Sequence, residues 1–200
     1  EGMIYSQVTR GVADRDFAFP RDIKPAVIAF TQAKAIIANP LAETGVRVVT
    51  VEDIRWKRRN IKSIALLGQV LSKQEAAEQG AFEGWMVEDG MITEGTSSTA
   101  YIVKNGVIVT RPLSRAILPG IRRRVLIELG QRHGIAIEER PFALAEALAA
   151  DEAMLTSASN FVLPVVAIDG KPVGTGKPGP VARRLREIYI AAALKEAGIA

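Results

Sequence analysis

The sequence predicts an α+β fold built on mixed sheets. Three observations lead there. Short alternating apolar runs recur along the chain and are cut by the turn dipeptides Asp89-Gly90, Asn105-Gly106 and Asp169-Gly170. Helical spacing of apolar residues appears within 60–80, 118–134 and 180–197. Strand and helix signals alternate without a strict βαβ rhythm, which argues against a single parallel sheet.

In order along the chain, residues 3–10 read as a strand and "PAVIAF" at 25–30 as a second. "QAKAIIANPLAETG" at 32–45 carries Pro40 and Gly45 after small residues, which places a linker near 36–42 and divides the chain into domains 1–38 and 39–200. "VRVVTVED" at 46–53 alternates as a strand. The stretch 60–80 predicts one helix, with Ile64, Leu66, Leu67, Val70 and Leu71 as its apolar set, Ala76 and Ala77 following, and Gly80 as its stop. Residues 84–110 predict an antiparallel meander turning at the first two dipeptides. A loop and then a helix follow within 118–134. A helix is expected at 142–150, strand at 153–168, and a helix from Pro180 to 197. Internal repeats and low-complexity segments are absent from the sequence. It opens on "EGMIYSQVTRG", strand-like and without an initiator methionine, so an N-terminal part of the protein is expected to lie outside this chain.

Composition narrows the chemistry. The 200 residues suit one large domain, or one domain and part of another, and 48% apolar residues supply a core. The absence of cysteine removes disulfides, thiolate nucleophiles and cysteine metal sites, and suits a cytoplasmic location. The single histidine, His133, rules out a histidine metal cluster within the chain, so no metal is expected. It stands where a helix runs into a strand, and a cation suits the last carbonyls there. The net charge of +4 is concentrated in "RWKRR" at 55–59 and "RRR" at 122–124. These runs read as solvated faces or anion sites, and nucleic acid is not an expected partner. No run reaches the ~18 apolar residues of a membrane span, and no signal peptide opens the chain.

The stretch "MITEGTSSTAYIV" at 91–103 sets an acid, Glu94, and three hydroxyls, Thr96, Ser97 and Ser98, between two apolar strands. A carboxylate there needs a proton, a cation or several donors. It could pair with a protonated ring nitrogen, or lie in water at a strand end. Lys62 sits in the opening turn of the expected helix, where the partial positive charge disfavours an ammonium and lowers the pKa of the amine. A neutral amine can attack a carbonyl; the alternative is an exposed lysine among basic neighbours. Gly120-Ile121 opens a helix whose free amides form an anion site, with Arg122 adding charge. "TSASN" at 156–160 is a second hydroxyl loop. An amine, an acid, an anion-binding helix start and two hydroxyl loops are the parts that pyridoxal phosphate requires.

The segments "VEDIRWKRRNIKSIALLGQVLSKQEAAEQG", "ITEGTSSTAYIVKNGVIVT", "ILPGIRR" and "LTSASNFVLPVVAIDGKPVGTGKPGP" resemble the class IV pyridoxal-phosphate aminotransferases, with the D-amino acid aminotransferases as the nearest branch. The opening "EGMIYSQVTRGVADRDFAFP" shares the resemblance, which runs collinearly through essentially the whole chain. It implies the type IV fold, with mixed and antiparallel sheets in a pseudo-barrel large domain, plus the remnant of a small N-terminal α/β domain. It implies pyridoxal 5'-phosphate as cofactor and an amino group moved by a ping-pong cycle between a D-amino acid and a 2-oxo acid. A homodimer is implied, with the active site near the subunit interface.

By the same resemblance, Lys62 carries the cofactor and moves the substrate proton, and Glu94 keeps the ring nitrogen protonated. Thr96, Ser97 and Ser98 line the polar edge of the cofactor, and Leu118 packs on the ring face. Ile121 and Arg122 form the phosphate-binding helix start, Ser157 binds the cofactor from the second hydroxyl loop, and Arg15 reaches from the other subunit to the substrate carboxylate. The chain departs from the family pattern at several positions. Phe17 stands where the D-amino acid enzymes have histidine, Arg122 for threonine, Ala158 for threonine and Thr99 for asparagine. Phe17 keeps branched-chain L-amino acid transaminase, R-amine transaminase and aminodeoxychorismate lyase open as alternatives. A non-enzymatic alternative is a truncated module that binds cofactor or dimerises.

Overall fold

The computed structural model describes residues 1–199. They form two compact units, Glu1–Ala38 and Asn39–Ala200. In the first unit, β1 (Gly2–Thr9) and β2 (Ala26–Ala33) pair antiparallel in unbroken register from Gly2↔Ala33 to Thr9↔Ala26. Tyr5 stacks on Phe30 at 4.9 Å between ring centroids. The Glu1 carboxylate accepts the amides of Ile36 at 2.6 Å and Ile37 at 2.7 Å.

The second unit holds, in order, α1 (Leu41–Thr44), β3 (Val46–Glu52), α2 (Leu67–Glu78), β4 (Glu83–Glu88), β5 (Met91–Gly95), β6 (Thr99–Lys104), β7 (Val107–Thr110) and α3 (Ile121–Arg132). Then come β8 (Ile137–Glu139), α4 (Leu144–Leu148), β9 (Glu152–Ser157), β10 (Asn160–Ile168), β11 (Lys171–Pro172) and α5 (Pro180–Glu196). The nine strands make one mixed sheet in the order β5-β4-β3-β10-β9-β6-β7-β8, with β11 beside β10. The pairs β3/β10, β3/β4 and β7/β8 are parallel and the rest antiparallel.

The expected single meander is corrected by this order. The two hairpins form as their dipeptides require, with positive φ at Asp89 (52°) and Gly90 (75°) and at Asn105 (51°) and Gly106 (78°). However, β5 does not pair with β6: they lie five places apart in the sheet, joined by residues 96–98 alone. So short a bridge can span that separation only if the sheet curls until the ends of β5 and β6 meet. The expected α+β pseudo-barrel is thus the observed architecture. Its inner face buries Val48, Trp85, Ile92, Ile102, Leu155 and Leu163, and the Trp85 ring meets Phe142 edge-on at 6.5 Å.

The helix expected over 60–80 is shorter, running from Leu67 to Glu78. Ahead of it local bonds compete with helix: the Ile61 amide donates to Arg58 O, the Leu66 amide to Ile64 O, and the Ala65 amide to the Ser63 hydroxyl. Its large apolar residues face outward as well. Leu67 is 70% exposed, Val70 57% and Leu71 51%, while Ser72 and Ala76 are the buried face. The two small side chains let the helix lie close on β3 and β4. Farther on, α5 begins with Pro180 at its first turn, as read from the sequence. Glu152 of β9 caps it by accepting the amides of Val181 at 2.9 Å and Ala182 at 3.0 Å. A side chain at Gly179 would overlap that carboxylate.

Candidate active site

Glu94, next to last in β5, is almost fully buried, 4% exposed. Its Oε1 accepts Arg55 Nη1 at 2.6 Å, and the Leu118 amide reaches both oxygens at 3.1 and 3.2 Å. Burial pushes the Glu94 carboxyl above the ordinary carboxylate range, against the opposing pull of Arg55 and the Leu118 amide. Oε1 is taken by Arg55, while Oε2 meets the shared Leu118 amide and keeps room for a further donor.

Arg55 is itself held by Asp53, the residue after β3. Its Nε lies 2.9 Å from Asp53 Oδ1 and its Nη2 2.8 Å from Oδ2. The Thr93 hydroxyl donates to Asp53 Oδ2 at 2.6 Å. Burial raises the Asp53 carboxyl, but hydrogen bonds from Arg55 and Thr93 and the charges of Arg55 and Arg59 outweigh it and hold it below its ordinary value. Arg59 Nε approaches Asp53 Oδ1 at 3.4 Å, an ion-pair distance without hydrogen-bond alignment. Its Nη atoms grip Glu88 at 2.7 and 2.9 Å. Gly68, in the first turn of α2, packs on Arg55, since a side chain there would meet Arg55 Cγ at 3.1 Å. Asp53, Arg55 and Arg59 were missed as site residues by the sequence reading. Their only signal was an acid two residues ahead of an arginine at a strand end.

Two residues beyond Leu118, Gly120 opens α3. Two residues span at most about 7 Å, so the grip on Glu94 and the helix start are neighbours. No side chain caps α3, and the amides of Ile121, Arg122 and Arg123 lie in its first turn, where the helix offers no acceptor. The Thr99 hydroxyl would be 3.3 Å from a Cβ placed on Gly120. The 157–160 loop reaches the same corner. Ser157 Oγ lies 3.4 Å from Ser159 Oγ and accepts Asn160 Nδ2 at 3.2 Å. Arg122 joins the two: its Nη2 donates to Ala158 O at 3.4 Å and its Nη1 to the Tyr189 hydroxyl at 3.2 Å, with the guanidinium 4.7 Å above the Phe161 ring. The structure thus brings Glu94, Leu118, Ile121, Arg122 and Ser157 together. A free-amide helix start beside a buried acid fits a ligand with a phosphate at one end and a protonated ring nitrogen at the other.

Thr96, Ser97 and Ser98 have a partner that the sequence reading did not find. The Glu83 carboxylate, 1% exposed, accepts the Thr96 hydroxyl at 3.1 Å, the Ser97 amide at 2.7 Å, the Ser97 hydroxyl at 2.6 Å and the Ser98 hydroxyl. An acid inside the apolar run "AFEGWMV" was the available signal. Lys62 lies outside α2, exposed, in the irregular segment before it. The argument from a helix start therefore does not apply to it. The Lys62 amine has no hydrogen bond or ion pair among the described residues. Three residues earlier, the Arg59 amide bonds Arg115 O at 3.0 Å, tying this segment to the loop that leads to Leu118. Arg15, in the first unit, lies over the Phe17 ring at 5.1 Å, both side chains in solvent.

Relatives of this chain are longer than it is. The D-alanine aminotransferase of Staphylococcus aureus (strain MSSA476) is 44% identical over 187 residues, which are 93% of this chain and 66% of that protein. The branched-chain amino acid aminotransferase of Escherichia coli superposes with a TM-score of 0.85 at 26% identity, over 95% of this chain and 65% of that one. The branched-chain amino acid aminotransferase from Thermobaculum terrenum, in its PLP-form, gives 0.74 at 25% identity, over 94% and 64%. The chain therefore spans about 66% of the length of the D-alanine aminotransferase it matches. The family model for amino-transferase class IV matches residues 1–168, and with a curled sheet that sets a buried acid beside an uncapped helix start, this chain belongs to that family.

Proposed function

We propose that this chain carries the large domain of a pyridoxal-phosphate aminotransferase that moves an amino group between a D-amino acid and a 2-oxo acid. The observation that carries the reading is Glu94, buried with its Oε2 still able to accept, beside the open amides of α3. The 44% identity to a D-alanine aminotransferase supports the substrate class. When bound, pyridoxal phosphate supplies an electron-accepting ring that stabilises negative charge on the substrate Cα. Glu94 holds a proton on the ring nitrogen. The amides of Ile121 and Arg122 and the Ser157 hydroxyl hold the phosphate, Leu118 covers a ring face, and Thr96, Ser97 and Ser98 support the polar edge through Glu83. Lys62 Nζ would anchor the cofactor and would serve as the base for the substrate Cα proton. Arg15, reaching in from a second copy of the chain, would offer two parallel donors to the substrate carboxylate.

Residues 1–38 are, in this reading, the end of the small domain, and 39–200 the large domain. The outward apolar face of α2, with Trp56 and Ile64 beside it, supports a homodimer. A cytoplasmic location accords with the absence of cysteine. No helix among the described residues is long and apolar enough to cross a membrane.

Amino transfer from D-alanine to 2-oxoglutarate tests the reading. Transfer from D-alanine with none from L-leucine is expected; cofactor binding without transfer from any D-amino acid contradicts it. Phe17 favours a second reading, a branched-chain L-amino acid substrate, because a phenyl ring offers Arg15 no hydrogen-bonding companion for a carboxylate. Preference for L-leucine over D-alanine would establish it.

A further inference from the structure

Glu94 does not meet Arg55 alone. Arg55 gives Nε and Nη2 to Asp53 and only Nη1 to Glu94. All three side chains are at least nine-tenths buried, with side-chain exposures of 4% for Arg55, 0% for Asp53 and 6% for Glu94. Two carboxylates against one guanidinium leave this triad one net negative charge. Around it stand the Thr93 hydroxyl, the Leu118 amide and Arg59, whose guanidinium is turned mainly to Glu88 with Lys57 beyond. Among the described residues Glu94 Oε2 is reached only by the shared Leu118 amide and keeps acceptor capacity.

We propose that Asp53 is a positioning residue for the cofactor ring: by holding Arg55 through two bonds it fixes Glu94 with Oε2 uncommitted and keeps the triad negative, the state that retains a proton on a pyridine nitrogen. This rests on the assignment of Glu94 as the partner of the ring nitrogen. Without the charge on Asp53, Arg55 turns wholly to Glu94 and the triad becomes neutral. A second cation on the ring is then opposed rather than drawn in.

The test uses the protein loaded with pyridoxal phosphate labelled with 15N in the ring, and reads the pH at which the nitrogen loses its proton. Asp53→Asn should lower that midpoint by at least about one unit, a tenfold loss of proton affinity. Asp53→Glu should retain it. The neutral pair Asp53→Asn with Arg55→Gln, which returns the net charge to one negative, should recover most of the shift, as a merely structural defect would not. An unchanged midpoint in Asp53→Asn overturns the proposal while leaving the role of Glu94 intact. A ring nitrogen that is unprotonated in the unsubstituted protein overturns the role of Glu94 itself. If Asp53→Asn does not fold, carboxyl NMR of the unsubstituted, cofactor-free protein decides. Asp53 should ionise at lower pH than Glu94, and the reverse order refutes the proposal.

Discussion

Glu83 takes two hydrogen bonds from Ser97 on a single carboxylate oxygen, one from the amide at 2.7 Å and one from the hydroxyl at 2.6 Å. With Thr96 and Ser98 added, every residue of the 96–98 bridge is tied to one acid on β4. The hydroxyl-rich stretch therefore closes the curled sheet. Glu83→Ala strands several buried donors, at a cost of about 1–3 kcal/mol for a group left unsatisfied. Urea unfolding should show a loss at or above that range. An unchanged midpoint would mean that water replaces the carboxylate.

The Arg122 side chain is engaged by Tyr189, Ala158 and the Phe161 ring, which leaves its backbone amide as the group facing the α3 opening. Arg122→Thr should cost about 0.5–2 kcal/mol of stability from the lost stacking. Pyridoxal-phosphate affinity, measured by equilibrium titration, should stay within about threefold. A loss of affinity beyond tenfold would assign the guanidinium itself to the phosphate.

Glu88 contributes to the loss of stability in acid. Hydrogen bonds from Arg59 and Lys57 hold its carboxyl down to about 2 from 4.5. A folded value below the unfolded one gives stability that is complete above pH 4.5 and is lost as pH falls toward 2. Glu88→Gln should lower stability at neutral pH and flatten the fall over that window, as read by urea unfolding from pH 6 to 2.5. An equally steep fall in the variant would place the acid limit elsewhere.

Glu94 acts with the opposite sign. Its folded value is raised, so its contribution in the cofactor-free protein is complete below pH 4.5 and is lost as pH rises through the folded value. Glu94→Gln should remove this alkaline loss while weakening cofactor binding by about tenfold or more, the scale of one charge-assisted hydrogen bond. Stability that still falls with pH in the variant would contradict the assignment.

Much of this was legible in the sequence, for physical reasons. The dipeptides Asp89-Gly90 and Asn105-Gly106 fix their hairpins because both positions need positive φ. Pro180 opens α5, and His133 stands at the C-terminal cap of α3, where its backbone amide meets the last carbonyls. Periodicity misled at α2, where Leu67, Val70 and Leu71 face outward, because a spacing rule does not say which face meets the sheet. The separation of β5 from β6 was hidden because strand order depends on pairings with β3 and β10, far away in sequence. Glu83 and Asp53 escaped notice because a buried acid is recognisable only from its donors, and these converge from separate strands and loops.

The exposed Leu67, Val70 and Leu71 yield a prediction about assembly. Leu67→Asp with Val70→Asp should convert a dimer to a monomer in sedimentation velocity, with the fold intact by circular dichroism. A dimer that survives both charges would move the interface elsewhere.

Absorbance reads whether Lys62 anchors pyridoxal phosphate. The protein titrated with pyridoxal phosphate should develop a visible band from covalent attachment, and Lys62→Ala, at an exposed and unbonded position, should fold normally and lack it. A band of equal strength in Lys62→Ala, or no band in either protein, would contradict the account.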